Sequence, residues 1–492
     1  MPPTVVNETT RLLRNHVEES YENNEADIVD WDGPNDPANP QNWPRAKTWI
    51  HVLIVSLLTF LVPLGATMFA PATQQVMQEL NPSATDAGEN GVLASLMVSI
   101  YVLGWALGPL VLAPLSESGG RLPVYTITSV LYVAATAACA LAPSIGILVF
   151  FRFVAGSVGS APLTIGGGTI SDLVPVQTRG LALSLYMFGP VLGPSVGPLM
   201  GGYLVEALGW RWIFWVLAIL HSVMTIVQVF FMSETYPAAI LEKKTRSMRQ
   251  KTGNFALRSK LDQGISARQV LVRAITRPAR MLIMSPINLM LALVSAYVNG
   301  VVFLLLTTAP VMFRVEYGFT SRDVGLAFIG FGIGNITGLA SFTLTSDRVI
   351  QKRATQRRLR PEDRLLPALA ALPILALGLL WYGWSAAAHT HWAVPIAGSA
   401  FIGTGNVLFF SAVIGYLIDS FTIYAASAIA SNTILRSVGG TALPLGGQHL
   451  YAILGWGWGS SLLAFVALLM TTMLAYLYLR GEALRSKYPV RL

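Results

Sequence analysis

The chain has 492 residues, of which 53% are hydrophobic and only 12% charged, and its mean hydropathy is +0.56. Soluble domains are about 25% charged, so this balance excludes a water-soluble enzyme and describes a polytopic membrane protein. The net charge of +8 does not mark a nucleic-acid surface, because the basic residues gather in particular connections, and the single Cys139 excludes an internal disulfide framework.

Residues 1–48 are polar and partly acidic, with no apolar core after the start. They read as a cytoplasmic tail without a secretory signal, which leaves insertion to the first apolar span. Twelve segments of spanning length are predicted. They lie near 49–70, 90–113, 123–142, 145–170, 180–204, 211–232, 283–309, 323–345, 366–386, 393–417, 424–447 and 459–480. With the N-terminus inside, 28 of the 33 Lys and Arg fall on the cytoplasmic side. That asymmetry predicts that both termini are cytoplasmic, and that the basic connections meet anionic lipid headgroups.

The long connection 233–282 divides the chain into a six-helix bundle at 49–232 and another at 283–480, followed by a cytoplasmic tail at 481–492. A repeat supports the division. Leu204-Val-Glu-Ala-Leu-Gly-Trp-Arg-Trp212 recurs as Leu450-Tyr-Ala-Ile-Leu-Gly-Trp-Gly-Trp458, an offset of 246 residues. At the same offset Gly193 matches Gly439, Pro198 matches Pro444 and Gly201 matches Gly447. Spans 5 and 11 are therefore counterparts in two parallel halves. Two such bundles can rock about a site at their interface, which predicts a transporter.

Span 5 carries Gly189, Gly193, Gly197 and Gly201 at four-residue spacing, with Pro190, Pro194 and Pro198 beside them and Gly202 following. In water each interior Pro would cost about 3 kcal/mol and each Gly about 1. In a membrane, neighbouring helices re-satisfy the freed backbone, and the glycines form a smooth face for close approach. Span 8 carries Gly330, Gly334 and Gly338 at the same spacing. The face of span 5 needs a partner, and span 8 offers a smooth face of matching spacing.

Few ionisable groups lie inside spans. Arg152 in span 4 is expensive there and functional by default. His221 in span 6 has the chemistry for proton exchange, although a packed neutral ring is the simpler reading. Glu206, near the outer end of span 5, is a weaker proton-carrier candidate, and His51 opens span 1. Asn288, Tyr297, Asn299 and Asn335 are polar or amphipathic residues of the second half and are the expected wall of a substrate cavity. Glu117, Arg121 and Asp172 fall at the cytoplasmic ends of spans 2 to 4, where an ion pair could latch an inner gate, and Asp419 takes the corresponding place in span 10. Gly193-Pro-Ser-Val-Gly197 matches a hydrolase elbow pattern, but Ser195 sits inside a span without the strand-turn-helix that the chemistry needs. There is no P-loop, and no metal or cofactor site is expected.

The chain resembles the major facilitator superfamily, and within it the fungal twelve-span drug:proton antiporters, over about residues 28–480. Four features carry the resemblance. Gly193-Pro-Ser-Val-Gly-Pro-Leu-Met-Gly-Gly202 is similar to the antiporter motif of the fifth span. Ala113 to Val124 is similar to the family's loop motif, with Glu117 at the acid, Gly120 at the glycine and Arg121 at the first basic position, while Leu122 replaces the second. Arg152-Phe-Val-Ala-Gly156 lies in span 4, with Asp172 at its inner end. Asp30-Trp-Asp-Gly-Pro-Asn-Asp-Pro-Ala-Asn-Pro-Gln-Asn-Trp-Pro44 precedes span 1, and that run looks fungal, as does Tyr416-Leu-Ile-Asp419.

The resemblance implies an all-α major facilitator fold that pairs spans 5 and 8 across the halves, so that their two glycine faces are expected to meet and seal the pathway between the halves. It implies proton-coupled export of small organic compounds, such as drugs, toxins or secondary metabolites, by a monomer in the plasma membrane. The scarcity of intramembrane acids disfavours a polycation as substrate. A facilitator or importer on the same fold is the rival within transport, and a non-transporting membrane sensor is the rival outside it.

Overall fold

The computed structural model describes residues 27–82, 87–175, 178–262, 264, 267–356 and 360–488. The first 26 residues of the N-terminal tail and residues 489–492 of the C-terminal one lie outside the described residues. Eleven helices among them are long and apolar enough to cross a bilayer. The last, Ala425–Lys487, contains two spans, because Gly455 breaks it with φ +70° and ψ 173°. Twelve spans result.

In the first half, span 1 is Arg45–Thr67, span 2 Ala87–Gly119 and span 3 Arg121–Ala140. Span 4 is a broken pair, Ile145–Gly159 and Ala161–Leu173, and spans 5 and 6 are Arg179–Leu208 and Arg211–Phe231. In the second half, span 7 is Pro286–Tyr317, and span 8 is again a broken pair, Ser321–Ala327 and Ile329–Gln356. Spans 9 and 10 are Leu366–Ala387 and Ala393–Phe421, and Gly455 separates spans 11 and 12. Large apolar side chains such as Ile127, Phe150, Leu181, Phe230, Phe465 and Leu479 stand exposed around the outside. So continuous an apolar surface suits lipid, not water.

The 246-residue repeat is present in backbone geometry. Gly209, between spans 5 and 6, has φ +88° and ψ 166°, matching Gly455 between spans 11 and 12. At these φ values a side chain would be strained, so glycine is required at both turns. The tryptophan after each turn makes an equivalent bond. Trp210 Nε1 donates to Glu79 at 2.7 Å, and Trp456 Nε1 donates to Glu316 at 2.8 Å. Each acid lies just beyond or at the end of the first span of its half, on the face opposite the termini.

Two regions read as polar connections are more ordered than hydropathy predicts. The 233–282 connection holds helices Pro237–Thr252 and Ala267–Met284, and span 12 continues as helix to Lys487. Hydropathy marks only the apolar part of a helix, whereas backbone bonding carries the helix on into polar sequence. The Asp30–Pro44 run is a strap. Ile28-Val29 pairs in parallel with Arg258-Ser259 of the central connection. Lys260 binds Asp30, and Lys244 Nζ lies 2.6 Å from Asp32.

The strap has an expected acid response. The Lys260 ammonium holds the Asp30 carboxyl below its ordinary 3.8, and the backbone N–H groups of Asp32 and Ala38 do the same for Asp36. A depressed folded value means that the stabilisation is complete above the ordinary value and disappears as pH falls through the depressed one. Hydrogen exchange at Asp32 and Ala38, corrected for intrinsic rate, should therefore stay flat from pH 7 to about 5 and rise only below about 4. A rise centred near pH 6 would contradict this.

Candidate functional site

The termini-side end of the first half is built around Arg121. Gly120 turns the chain between spans 2 and 3 at φ +94° and ψ 164°, which favours glycine. A Cβ at Gly120 would also collide with the Glu234 carboxylate. Glu234 accepts the backbone N–H groups of Arg121 at 2.9 Å and Leu122 at 3.0 Å, capping span 3. The Arg121 side chain crosses to Asp172 at the end of span 4, Nε to Oδ2 2.6 Å, with its guanidinium 5.1 Å from the Tyr236 ring centre. Gly168 leaves it room, because a Cβ there would lie 2.6 Å from Arg121 Nη2. Arg121 and Asp172 are thus brought together as expected.

Glu117 lies within electrostatic reach of Tyr236 but is not a partner of Arg121 among the described residues. It is exposed and makes no ion pair among the described residues. Its place is taken by Glu234, which the sequence reading missed. One turn of helix carries Glu117 away from the start of span 3, whereas the end of span 6 lies against it. The second half repeats the ion pair: Arg364, before span 9, meets Asp419 in span 10 at 2.8 Å. Glu234→Gln should remove the charge from the cap and cost about 1 kcal/mol, read as earlier thermal unfolding and faster hydrogen exchange at Arg121 and Leu122. Unchanged exchange there would show that the cap is dispensable.

The expectation for the glycine faces needs correction. Gly189, Gly193, Gly197 and Gly201 do not meet span 8; they press on span 1 in parallel register. Added Cβ atoms would fall 2.9 Å from Phe60 Cα, 2.7 Å from Pro63 Cγ, and against Thr67 and the Met68 carbonyl, respectively. Thr67 Oγ1 also donates to the Gly193 carbonyl at 3.3 Å. Gly330, Gly334 and Gly338 likewise press on span 10, at Ile396, Ala400 and Thr404. Both stripes are seams within a half. The repeat agrees: Gly439 and Gly447 pack on Ala296 and Leu304 of span 7, as Gly193 and Gly201 pack on span 1. Pro194 and Pro198 lie on span 5 between these seams and the interface, and the Pro198 carbonyl is 2.7 Å from where a Gly325 Cβ would be.

Contact between the halves uses different residues of the same spans. Gly202 packs against Ser321 and Gly325, with an added Cβ 3.1 Å from Gly325 Cα. Asn335 Nδ2 donates to Ser195 Oγ at 3.3 Å and to the Val191 carbonyl at 3.4 Å. Adjacent residues on a helix point about 100° apart, which separates Gly201 on the span 1 seam from Gly202 on the interface. The 246-residue partners do the equivalent work with span 2: Thr441 Oγ1 donates to the Ser99 carbonyl at 3.2 Å, and Gln448 packs on Gly91. On the face opposite the termini, Arg314 of span 7 donates to Gln74 at 2.7 Å, and the Arg322 N–H donates to Glu206 at 3.0 Å. Glu206 is therefore an exposed tie between the halves, not a buried carrier.

Inside the first half, Arg152 is 1% exposed. Its Nη2 donates to the Ala66 carbonyl at 3.2 Å and more weakly to Val98 at 3.5 Å. The guanidinium lies 4.6, 5.3 and 5.8 Å from the ring centres of Phe69, Tyr101 and Phe214. It also lines a small cavity with Tyr132 and Thr136, in which Arg152 Nε has no partner among the described residues. The His221 ring lies tilted against Tyr132, with ring centres 4.3 Å apart, and its Nδ1 has no hydrogen bond among the described residues. The structure thus gathers Arg152 and His221 around one tyrosine. His51 differs: its Nε2 accepts the Ser233 N–H at 2.9 Å, so Nδ1 carries the proton donated to the Lys47 carbonyl at 2.8 Å. Nε2 thus joins span 1 to the end of span 6, while Nδ1 is satisfied within span 1 itself.

The expected cavity wall is corrected in most of its members. Asn288 is buried and donates to Ser431 Oγ at 2.7 Å, and Asn299 donates to the Arg436 carbonyl at 3.0 Å. Both bonds join span 7 to span 11. The Tyr297 hydroxyl donates to the Leu463 carbonyl of span 12. Polar side chains at this depth find helix partners because unsatisfied groups are costly, so polarity alone does not mark a cavity. Asn335 remains at the interface. Arg436, a half-buried cation within span 11, was not singled out by sequence reasoning, although its charge at that depth was the available signal.

Comparison with known proteins agrees with this architecture. Residues 55–444 match the Major Facilitator Superfamily. The chain is 45% identical over 468 residues to the efflux pump radE of Floropilus chiversii, covering 94% of this chain and 86% of that protein. It is 42% identical to the MFS-type transporter hepF of Aspergillus oryzae (strain ATCC 42149 / RIB 40), covering 97% and 98%. Among solved structures, the inward open xylose transporter XylE of E. coli superposes with a TM-score of 0.64 over 86% of this chain and 95% of that one, at 14% identity. At that identity the likeness concerns the fold alone.

Proposed function

Because this chain belongs to the major facilitator superfamily, and is a multi-pass membrane transporter on that fold, we propose that it exports small organic compounds in exchange for protons. The two bundles at 49–232 and 283–480 act as the rocking units, joined by the central connection, and one copy suffices. Both termini are cytoplasmic, and the protein resides in the plasma membrane.

The observation that carries alternating access is the closed face opposite the termini, where Gly202 meets Gly325 and Arg314 meets Gln74. Opening that face requires these contacts to part while each half keeps its own seam, span 5 on span 1 and span 8 on span 10. The Arg121–Asp172 and Arg364–Asp419 pairs lie within halves and keep each bundle rigid at the other end. Export is supported by the relative named an efflux pump. We assign proton coupling to the cluster of Arg152, Tyr132 and His221. His221 is its titratable member, since an arginine keeps its charge throughout.

The decisive experiment places purified protein in liposomes, imposes a pH gradient and follows a panel of organic compounds. Uptake that tracks the gradient supports the reading. Uptake indifferent to its size and sign would leave a facilitator in its place.

A further inference from the structure

We infer that the translocation path recognises an anionic group on its substrate, and that Arg436 of span 11 makes that contact. The inference deepens the export reading and rests on it.

The middle of the twelve spans contains no Asp or Glu; the acids of the described spans lie at their ends, as Asp172, Glu206, Glu316 and Asp419 do. Two arginines lie at that depth, Arg152 and Arg436. Arg152 is sealed inside the first half, occupied by two carbonyls and three aromatic rings. Arg436 is only half-buried. Its guanidinium rests 5.0 Å from the ring centre of Phe410 on span 10, and among the described residues it has no hydrogen bond and no carboxylate.

Helical position shows where it points. Asn432 bonds Ser295 of span 7 at 3.0 Å, and Gly439 packs on Ala296 of the same span. Gly440 sits where spans 7 and 2 meet, an added Cβ falling against Asn299 and 3.3 Å from Val102 Cγ1, and Thr441 bonds the Ser99 carbonyl of span 2. Arg436 lies one turn from both Asn432 and Gly440, between the face toward span 7 and the face toward span 2. Val438, on the other side of the helix, is 41% exposed and faces lipid. Arg436 is therefore directed to the space where spans 2, 7 and 10 converge between the halves. Asn299 holds the backbone at this point through the Arg436 carbonyl.

A charge inside a span is expensive unless it is used. A guanidinium stays ionised, and its planar fork of N–H donors matches a carboxylate. With no acid at the same depth, the path carries unbalanced positive charge and favours a carboxylate or phenolate over an organic cation.

Fluorescein and rhodamine 6G share one xanthene frame and differ in charge, anionic against cationic. In proteoliposomes under a pH gradient, wild-type protein should move fluorescein about tenfold faster than rhodamine 6G, and R436Q should remove that preference by slowing fluorescein about tenfold. R436K should keep the ranking with reduced flux, because charge survives without the fork. Equal flux of the two dyes in wild type, or an unaltered preference in R436Q, overturns the inference. Flux of rhodamine 6G alone, or of other compounds of the panel but neither dye, overturns it and leaves export standing; gradient-driven flux of no compound at all overturns both. Should thermal unfolding show that R436Q does not fold, the wild-type ranking and R436K decide.

Discussion

Arg152→Leu should abolish gradient-driven transport, lowering flux about 100-fold or more, while shifting the stability of the protein by no more than about 2 kcal/mol. The two expectations follow from opposing terms of similar size. A buried charge without a partner carboxylate costs several kcal/mol even after relaxation. Against that stand the bonds to Ala66 and Val98, at 3.2 and 3.5 Å, and the rings of Phe69, Tyr101 and Phe214. Hydrogen bonds from a charged donor contribute about 1.5–3 kcal/mol each and a desolvated ring contact about 2. Leucine gives up both the cost and the compensation, so the melting temperature moves little. Transport, by contrast, loses the fixed charge of the Arg152–Tyr132–His221 cluster. A large fall in melting temperature with proportionate loss of flux would mean that Arg152 only fastens span 4 to spans 1 and 2.

The parts of the molecule that were legible in the sequence are those fixed by local composition. A span is an apolar stretch of a certain length, so hydropathy finds it wherever it lies, and the 246-residue offset relates Gly209 to Gly455 before any coordinate is known. Arg121 and Asp172 were legible for a related reason: charges stay at span ends, and only a few ends lie close together. What could not be read is which neighbour each face touches. A four-residue glycine repeat states that something approaches closely, but span 5 has span 1 on one side and span 8 on another, and spacing cannot choose between them. The choice is made by the difference between Gly201 and Gly202, a rotation of about 100°. The same ambiguity misplaced Asn288, Tyr297 and Asn299, whose partners are a hydroxyl and two carbonyls on spans 11 and 12. Glu234 was invisible because it caps a helix that begins 113 residues earlier in the chain. Arg436 carried a readable signal, a cation at mid-span, yet only its half-exposed setting distinguishes it from Arg152.

That rotation defines a test in which neighbouring glycines give opposite phenotypes. Gly202→Val should trap the protein with the face opposite the termini open, because its side chain would enter the space held by Ser321 and Gly325 of the other half. Inserting methylenes into tight packing costs about 1–3 kcal/mol, more where backbone must move. A cost of about 3 kcal/mol that applies only to the closed arrangement shifts the open-to-closed ratio by about 150-fold, which is enough to end cycling. The open arrangement has no such clash, so the folded protein survives. Gly201→Val instead drives its side chain into the Met68 carbonyl of span 1, a contact kept throughout the cycle. It should lower the melting temperature without favouring either arrangement. Spin labels on Leu208→Cys and Val315→Cys, both exposed at that face, report the distance between the halves, and the native Cys139 is buried away from the reagent. Gly202→Val should lengthen that distance and Gly201→Val should not. If both glycines act alike, the seam within the half and the seal between halves are one device, and the separation drawn from their angular positions fails.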